Sequence, residues 1–109
     1  MKLWVVYSND TEYGGTSYVG VHGIFNHKIQ AIKCILDAIT SEYEDLIEYE
    51  PDFLSSMIKN NERFSGLKSN ATWSDVKKVL KKELLDKTRT GIGLTEYAYE
   101  EAEYFKKLT

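Results

Sequence analysis

The chain has few of the residues that build thiol and metal chemistry. Among its 109 residues are one cysteine, Cys34, and two histidines, His22 and His27. A single cysteine cannot form an internal disulfide, so nothing indicates an oxidising compartment. The spacing of the histidines fits no helical metal pair, and no second cysteine exists to complete a zinc set. We therefore predict no metal site and no cofactor.

Long apolar runs are also missing. The N-terminal Met-Lys-Leu-Trp-Val-Val-Tyr is too short for the apolar region of a signal peptide and meets Ser8, Asn9 and Asp10 at once. No stretch approaches the roughly 20 apolar residues that a membrane-spanning helix needs. The sequence therefore predicts a cytoplasmic protein without a membrane partner. Its length, with 42% apolar residues, predicts a single domain, 1–109.

Recognisable catalytic motifs are absent as well. Cys34 stands among Ile32, Ile35 and Leu36, a setting typical of a small buried apolar residue rather than a nucleophile. Gly14-Gly15-Thr16-Ser17 precedes a predicted strand, whereas a phosphate-binding loop precedes a helix. We predict no catalytic residue, and a small enzyme of unknown chemistry is the last of three functional hypotheses.

Two segments carry acidic and tyrosine side chains but no Lys or Arg. Segment 41–52 has six carboxylates and segment 95–105 has four, and Glu-Tyr recurs at 42–43, 48–49, 96–97 and 103–104. Tyrosines at the rim of a small core explain part of this pattern. Tyrosine is also enriched in binding hot spots, and arrays of carboxylates imitate phosphates. The predicted partner-binding residues are Glu42, Tyr43, Glu44, Glu48, Tyr49, Glu96, Tyr97, Tyr99, Glu100 and Glu103.

The segment between the two acidic runs is basic. Residues 59–90 contain nine bases against four acids, a net charge of +5. A predicted helix in this segment places Lys77, Lys78, Lys81 and Lys82 mostly opposite its apolar face. A solvated helix face shows the same pattern as a nucleic-acid-binding one, and after Trp73 no aromatic residue for stacking accompanies these lysines on the helix. The lysines have a second candidate partner in the acidic runs, either inside the molecule or in another copy of the chain. Pairing between copies would give a homo-oligomer.

The order of apolar patterns predicts an α+β fold. We expect a small antiparallel or mixed sheet of about three strands, at 2–8, 17–25 and 91–99, with the last as an edge strand. About four helices should pack against it, at 27–40, 42–49, 51–60 and 73–87. Asn26 is a candidate N-cap, and Ser41 with Glu44 and Thr72 with Asp75 form candidate capping boxes. Residues 100–108 are expected to form a terminal helix.

The N-terminal Lys2-Leu3-Trp4-Val5-Val6, the glycine-bearing second strand ending at Phe25, and the helix with Lys28 and Ala31 resemble a group of very small proteins. Many members of this group are encoded by phages or prophages of Gram-positive bacteria. Their chains tend to end with a strand that leads into acidic residues, as Gly93-Leu94-Thr95-Glu96 does here. The resemblance implies a phage-associated accessory protein and supplies no catalytic residues.

These observations lead to one functional hypothesis and its rival. The first is a non-enzymatic, phage-associated protein that binds a host protein with a basic nucleic-acid-binding surface. It would inhibit a nucleic-acid-handling or defence factor as an anti-CRISPR-like protein or nucleic-acid mimic. The rival is a nucleic-acid-binding regulator that uses the lysine-rich helix at 74–87.

Overall fold

The computed structural model describes residues 2–12, 16–93 and 95–103. It contains four strands, β1 (Lys2–Glu12), β2 (Thr16–Phe25), β3 (Arg89–Thr90) and β4 (Thr95–Glu103), which form one antiparallel sheet in the order β2-β1-β4-β3. The α-helices are α1 (Lys28–Tyr49), α2 (Phe53–Asn60) and α3 (Trp73–Asp86). A short 3₁₀ helix, Glu62–Phe64, lies between α2 and α3. The α+β class is confirmed, with one more strand and one fewer α-helix than predicted.

The first two strands pair with each other in antiparallel orientation. Trp4 pairs with Phe25 at one end and Glu12 pairs with Thr16 at the other. Alternate β1 residues, Trp4 and Val6, enter the core, and Val6 is fully buried. Strand β1 is longer than the predicted 2–8 because pairing with both neighbouring strands continues to Asp10, and pairing with β2 continues to Glu12.

Helix α1 replaces the two helices predicted at 27–40 and 42–49. Ser41 does not start a new helix, since the chain stays helical from Lys28 to Tyr49. Thr40 supports this continuity, because its Oγ1 donates to the Leu36 carbonyl oxygen at 2.8 Å within the same helix. The N-cap is His27 rather than Asn26, and it makes no side-chain capping bond. The predicted Ser41 capping box is therefore wrong.

The later helices follow the prediction more closely. Thr72 and Asp75 form the expected capping box at the start of α3, with each side chain accepting a hydrogen bond from the backbone N–H of the other. Helix α2 begins at Phe53 with Asp52 as its N-cap, so Pro51 precedes the helix instead of occupying its first turn. Each of these helices turns its buried residues towards the same core.

The C-terminal strand is displaced from the predicted 91–99. Strand β4 runs from Thr95 to Glu103 and pairs along β1, so residues 100–103 are strand and not helix. Its other side meets β3, where Thr90 pairs with Tyr97. The edge-strand prediction is therefore wrong, because β4 lies between two strands. Residues 104–108 of the predicted terminal helix lie outside the described residues.

A polar cluster joins the 3₁₀ helix to α3 and β3. The Arg63 guanidinium contacts the Glu83 carboxylate at 3.1 Å and donates to Thr90 Oγ1 at 3.0 Å. It also donates to the carbonyl oxygen of Gly91. Charge-assisted bonds of this kind are stronger than neutral ones, so one partly buried side chain ties three elements together.

Helices α1 and α3 pack on one face of the sheet, and α2 packs against α1 and the 3₁₀ helix. The core contains Ala31, Ile32, Ile35 and Ile39 from α1, Val76, Leu80 and Leu84 from α3, together with Ile58, Phe64, Val6, Tyr97 and Tyr99. The opposite face carries Val5, Tyr7, Val21 and Ile24, which the cross-strand pairs Val5–Ile24 and Tyr7–Val21 place side by side. None of the described helices packs on this face, where Val21 and Ile24 are exposed. Among the described residues, no helix has the length and apolar character needed to cross a membrane.

Candidate functional site

The first acidic run lies on the C-terminal half of α1. Ile39 is buried, and helical geometry places Glu44 about 140° and Glu48 about 180° away from it around the helix axis. The carboxylates at 42, 44, 45, 48 and 50 are all exposed. Among the described residues, none of these five side chains takes part in an ion pair. Their negative charges therefore remain directed at solvent.

Two apolar side chains stand among these carboxylates. Leu46 follows Ile39 by two helical turns and continues its stripe, yet it is 40% exposed. Tyr49 is 69% exposed. We define the acidic α1 surface as the exposed side chains of Glu42, Glu44, Asp45, Leu46, Glu48, Tyr49 and Glu50. It combines uncompensated negative charge with apolar area that is free to contact a partner.

Tyr43 does not belong to this surface. Its ring stacks on Phe53 of α2, with centroids 5.6 Å apart, and its side chain is half-buried. Burial raises the pKa of its hydroxyl, and the neighbouring Glu42 carboxylate raises it further. The hydroxyl also reaches Gly93, where a Cβ would lie 2.1 Å from it. Tyr43 is a packing residue rather than the predicted partner-binding residue.

The two acidic-tyrosine runs meet at one point. The Tyr97 hydroxyl of β4 donates to Glu42 Oε1 of α1 at 2.9 Å. Tyr97 is only 6% exposed, so this bond lies at the boundary between core and solvent. The contact fixes the middle of α1 to the sheet and thereby positions the exposed half-helix that follows.

The two described tyrosines of the second run, Tyr97 and Tyr99, are buried. Tyr99 is 2% exposed, its hydroxyl donates to the Leu84 carbonyl oxygen at 2.6 Å, and its ring meets Trp4 edge-on. Strand alternation turns Tyr97 and Tyr99 towards the helices. Neither side chain is available to a partner at the surface, which corrects their predicted binding role.

The carboxylates of the second run point elsewhere. Alternation places Glu96 and Glu100 on the uncovered face of the sheet, opposite to the buried tyrosines. Glu96 Oε1 lies 3.3 Å from Arg89 Nη1, and Glu101 pairs with Lys2 at 3.0 Å. The side chain of Glu103 lies outside the described residues. Within the described residues, the second run therefore contributes the Tyr97–Glu42 bond, and not a second half, to the acidic α1 surface.

A shallow cleft adjoins the acidic α1 surface where α1 gives way to α2. It has a volume of about 500 Å³ and is lined by Leu46, Glu50, Asp52, Phe53, Ser56, Met57 and Asn60. Leu46, Phe53 and Met57 supply apolar walls, and the carboxylates of Glu50 and Asp52 supply the rim. An apolar side chain flanked by positive charge is the chemical complement of this cleft.

A second groove lies between α1 and α3 and is basic. Lys77, Lys78 and Lys81 line it from α3, and Lys33 lines it from α1, together with Leu36, Asp37 and Ser74. Lys82 is exposed but does not line this groove. Trp73 stands nearby in sequence, but its indole N–H donates to Thr40 Oγ1 at 3.0 Å within the fold. The groove offers charge for phosphates without an aromatic platform for bases.

Searches of protein-family models, of curated proteins and of solved structures found no match to this chain. The side chains described above therefore carry the functional argument.

Groups that would support catalysis are poorly arranged in the described part of the chain. Burial raises the pKa of the Cys34 thiol, and the charge of Asp37 acts in the same direction, which disfavours the reactive thiolate. Ser8 Oγ lies 2.7 Å from His22 Nε2, but this pair is exposed and no carboxylate orients the ring among the described contacts. No group of His, Cys, Asp and Glu suited to a metal occurs in residues 2–12, 16–93 and 95–103.

Sequence reasoning did not identify Leu46 or Lys33 as site residues. Leu46 occupies a core-facing position of the apolar stripe, and only the extension of α1 past its buried half exposes it. Lys33 belongs to a helix whose lysines are sparse, and α3 brings three further lysines beside it. The position of Lys33 outside the apolar stripe of its helix was the signal available in the sequence. The packing of α1 beside α3, which completes the groove, became visible only in the structure.

Proposed function

We propose that this chain is a non-enzymatic binding protein whose acidic α1 surface captures a protein with a basic, nucleic-acid-binding surface. The observation that carries the proposal is the acidic α1 surface, in which four carboxylates of the helix and that of its C-cap, Glu50, form no ion pair among the described residues. Such a surface attracts a basic partner over several ångströms and suppresses contact with acidic ones.

Leu46 and Tyr49 give the surface a means of holding what the charge attracts. Interfaces owe most of their free energy to a few buried apolar or aromatic anchors, with charge acting mainly on association and specificity. Leu46 also forms part of the wall of the α1–α2 cleft, so an apolar residue of the partner has a place to insert. Charge and anchor together favour a protein partner over a free small cation.

The biological setting that we propose is inhibition of a host factor by a phage-associated protein in the bacterial cytoplasm. A carboxylate array that occupies a nucleic-acid-binding surface excludes the nucleic acid, because both compete for the same positive charges. The phage association rests on the resemblance of the first two strands and the start of α1 to small phage and prophage proteins.

The test is capture of a partner from Gram-positive bacterial lysate with the wild-type chain and a charge-reversed variant, Glu44→Lys with Glu48→Lys. We expect the wild type to retain a basic nucleic-acid-binding protein, and we expect the folded variant to lose it. Glu100→Lys is the matched control, since Glu100 is exposed on the sheet and outside the acidic α1 surface. Equal capture by the charge-reversed variant would refute the proposal.

The basic groove supports a second candidate function, binding of DNA or RNA through its phosphates. Its supporting observation is the convergence of Lys33 with Lys77, Lys78 and Lys81 around one groove. A gel shift at low salt separates the two functions. Binding that is lost in Lys77→Glu with Lys81→Glu would assign nucleic acid as the ligand, whereas the inhibitor proposal expects no shift by the wild type.

A further inference from the structure

Strand β2 is an outer strand of the sheet, with an edge that carries no charged residue and no proline. It is ten residues long, and among the described strands only β1 pairs with it. Residues 16–25 contain no Asp, Glu, Lys, Arg or Pro, whereas each of the other three described strands carries at least one charged residue. Natural proteins usually protect such edges with charge, proline or short length, because free backbone groups pair with other strands.

The opposite edge of the same sheet shows that protection. Strand β3 is two residues long, and its Arg89 makes an ion pair with Glu96 of β4 at 3.3 Å. A short, charged edge offers few backbone groups and repels many strands. The molecule therefore closes one edge of its sheet and leaves the other available.

A β-bulge makes the available edge more apolar. The register between β1 and β2 shifts between Val6 and Tyr7, so that Val6 pairs with Gly23 and Tyr7 with Val21. The extra residue is His22. Because of it, Val21 and Ile24, which are three positions apart, both lie on the uncovered face, where they are 67% and 60% exposed. Two apolar side chains therefore border the free edge on one side.

We propose that two copies of this chain associate by antiparallel pairing of β2 with β2 about a two-fold axis, which joins two four-stranded sheets into one of eight strands. This interface is separate from the acidic α1 surface and does not depend on the proposed function. An identical strand suits the edge because two-fold pairing brings equal backbone edges together, and neither strand carries a charge that would repel its copy.

The uncovered faces favour the second copy over other occupants. With the two sheets joined, the apolar band of Val5, Tyr7, Val21 and Ile24 continues across the axis into the same band of the second copy. A charged extended peptide would find no complementary charge along residues 16–25. With the axis near Val21, the two Val21 side chains become neighbours, as cross-strand residues are.

The test is the molar mass in solution across a wide range of protein concentration, measured by sedimentation velocity and light scattering. We expect the wild type to pass from the monomer mass of 12.6 kDa to twice that value as concentration rises. Val21→Lys and Val21→Glu should each remain monomeric, because like charges would face each other across the axis. An equimolar mixture of the two variants should restore the dimer.

Restoration in the mixture shows that each variant is folded and that the two copies meet at Val21. Leu85→Lys is the matched control, since Leu85 is an exposed apolar residue of α3 and should leave the dimer intact. A wild type that stays monomeric at every concentration overturns the proposal. So does a monomeric wild type whose β2 amides gain hydrogen-exchange protection only with an added extended peptide, because the edge then serves another occupant.

Discussion

At the scale of single residues, two side chains contact the last carbonyl groups of α3, a helix whose C-terminus is not capped by a glycine. An α-helix leaves its last carbonyl groups without intrahelical partners. In α3, the Tyr99 hydroxyl donates to the Leu84 carbonyl oxygen at 2.6 Å, and Lys28 Nζ approaches the Leu85 carbonyl oxygen at 3.5 Å. Lys28 also lies 5.9 Å from the centre of the Tyr99 ring. These contacts explain why Tyr99 belongs to the fold and not to a binding surface.

Gly93 is a residue whose size the fold restricts. In Gly93→Ala, the new methyl group would lie 2.1 Å from the Tyr43 hydroxyl oxygen, and stacking on Phe53 restrains the Tyr43 ring. We expect a loss of about 1–3 kcal/mol in the free energy of unfolding, as for other overpacked sites. Denaturant titration of the variant against the wild type measures it.

Two further variants control this prediction. Gly66→Ala should be nearly neutral, because no heavy atom lies within 4 Å of the position that its Cβ would take. Tyr43→Phe removes the clashing oxygen, and the nearest remaining atom, Cζ, lies 3.5 Å away at ordinary contact distance. Gly93→Ala should therefore cost less in the Tyr43→Phe background, and an unchanged cost would refute the clash.

At the scale of helices and strands, short sequence motifs predicted where a helix can start better than they predicted how far a helix continues. The Thr72–Asp75 capping box was predictable because it depends on residues three apart. The Ser41 box uses the same type of pattern and is wrong, since α1 stays helical through Thr40 and beyond, where Trp73 and Tyr97 bind it from other elements. A polar N-cap candidate inside a helix is indistinguishable by composition from one at its start.

Strand β4 shows a second limit of local pattern. Three consecutive residues, Tyr97, Ala98 and Tyr99, are all buried, although only two of them point towards the helices. Ala98 is covered within the sheet because it pairs with Tyr7 on one side and Arg89 on the other. Strands that are distant in the sequence provide this coverage. In the sequence alone, the buried tyrosines of β4 therefore look the same as tyrosines of a binding surface.

The capping box of α3 predicts a pH dependence of stability. The Asp75 carboxylate accepts hydrogen bonds from the Thr72 backbone N–H at 2.9 Å and from Thr72 Oγ1 at 3.1 Å. These bonds hold the pKa of Asp75 below its ordinary value of 3.8. A lowered pKa in the folded state gives stability that is complete above the ordinary value and is lost as pH falls through the lowered one.

Denaturant titrations of wild type and Asp75→Asn over a series of pH values measure this contribution. We expect the wild type to be the more stable above about pH 4 and the difference to shrink in more acidic solution. Asp86→Asn is the control, because the Asp86 side chain accepts no hydrogen bond in the described structure. A difference for Asp75→Asn that stays constant down to strongly acidic pH would contradict the charge-based explanation.

At the scale of the whole molecule, charged and uncharged surfaces are separated. The acidic α1 surface presents carboxylates without ion pairs among the described residues, whereas residues 16–25 at the free edge of the sheet contain no acidic or basic side chain. Charge governs association over long distances, and backbone pairing with apolar contact governs it at short range. The two proposed interfaces should therefore respond differently to the solvent.

Ionic strength provides the comparison. Raising the salt concentration should weaken capture of the basic partner, since it screens charges on exposed surfaces. The same change should leave the self-association of β2 unaltered or slightly stronger, because that edge carries no charge and copies of a net charge of −3 repel one another less in salt. Calorimetry measures the association constant for the basic partner, and sedimentation measures the association constant of the dimer. Parallel weakening of both would show that charge also governs the edge.

The bulge at His22 has a consequence for how this fold tolerates changes in length. Strand faces alternate with a period of two, so the insertion or loss of one residue reverses the orientation of everything on one side of it. Here the bulge absorbs the extra residue, because Val21 pairs with Tyr7 and Ile24 with Val5, and deletion of His22 would leave both side chains on the uncovered face. The strand can therefore lose this one residue without turning over either face of the sheet, so its length can vary at the bulge while the surfaces on both sides stay the same.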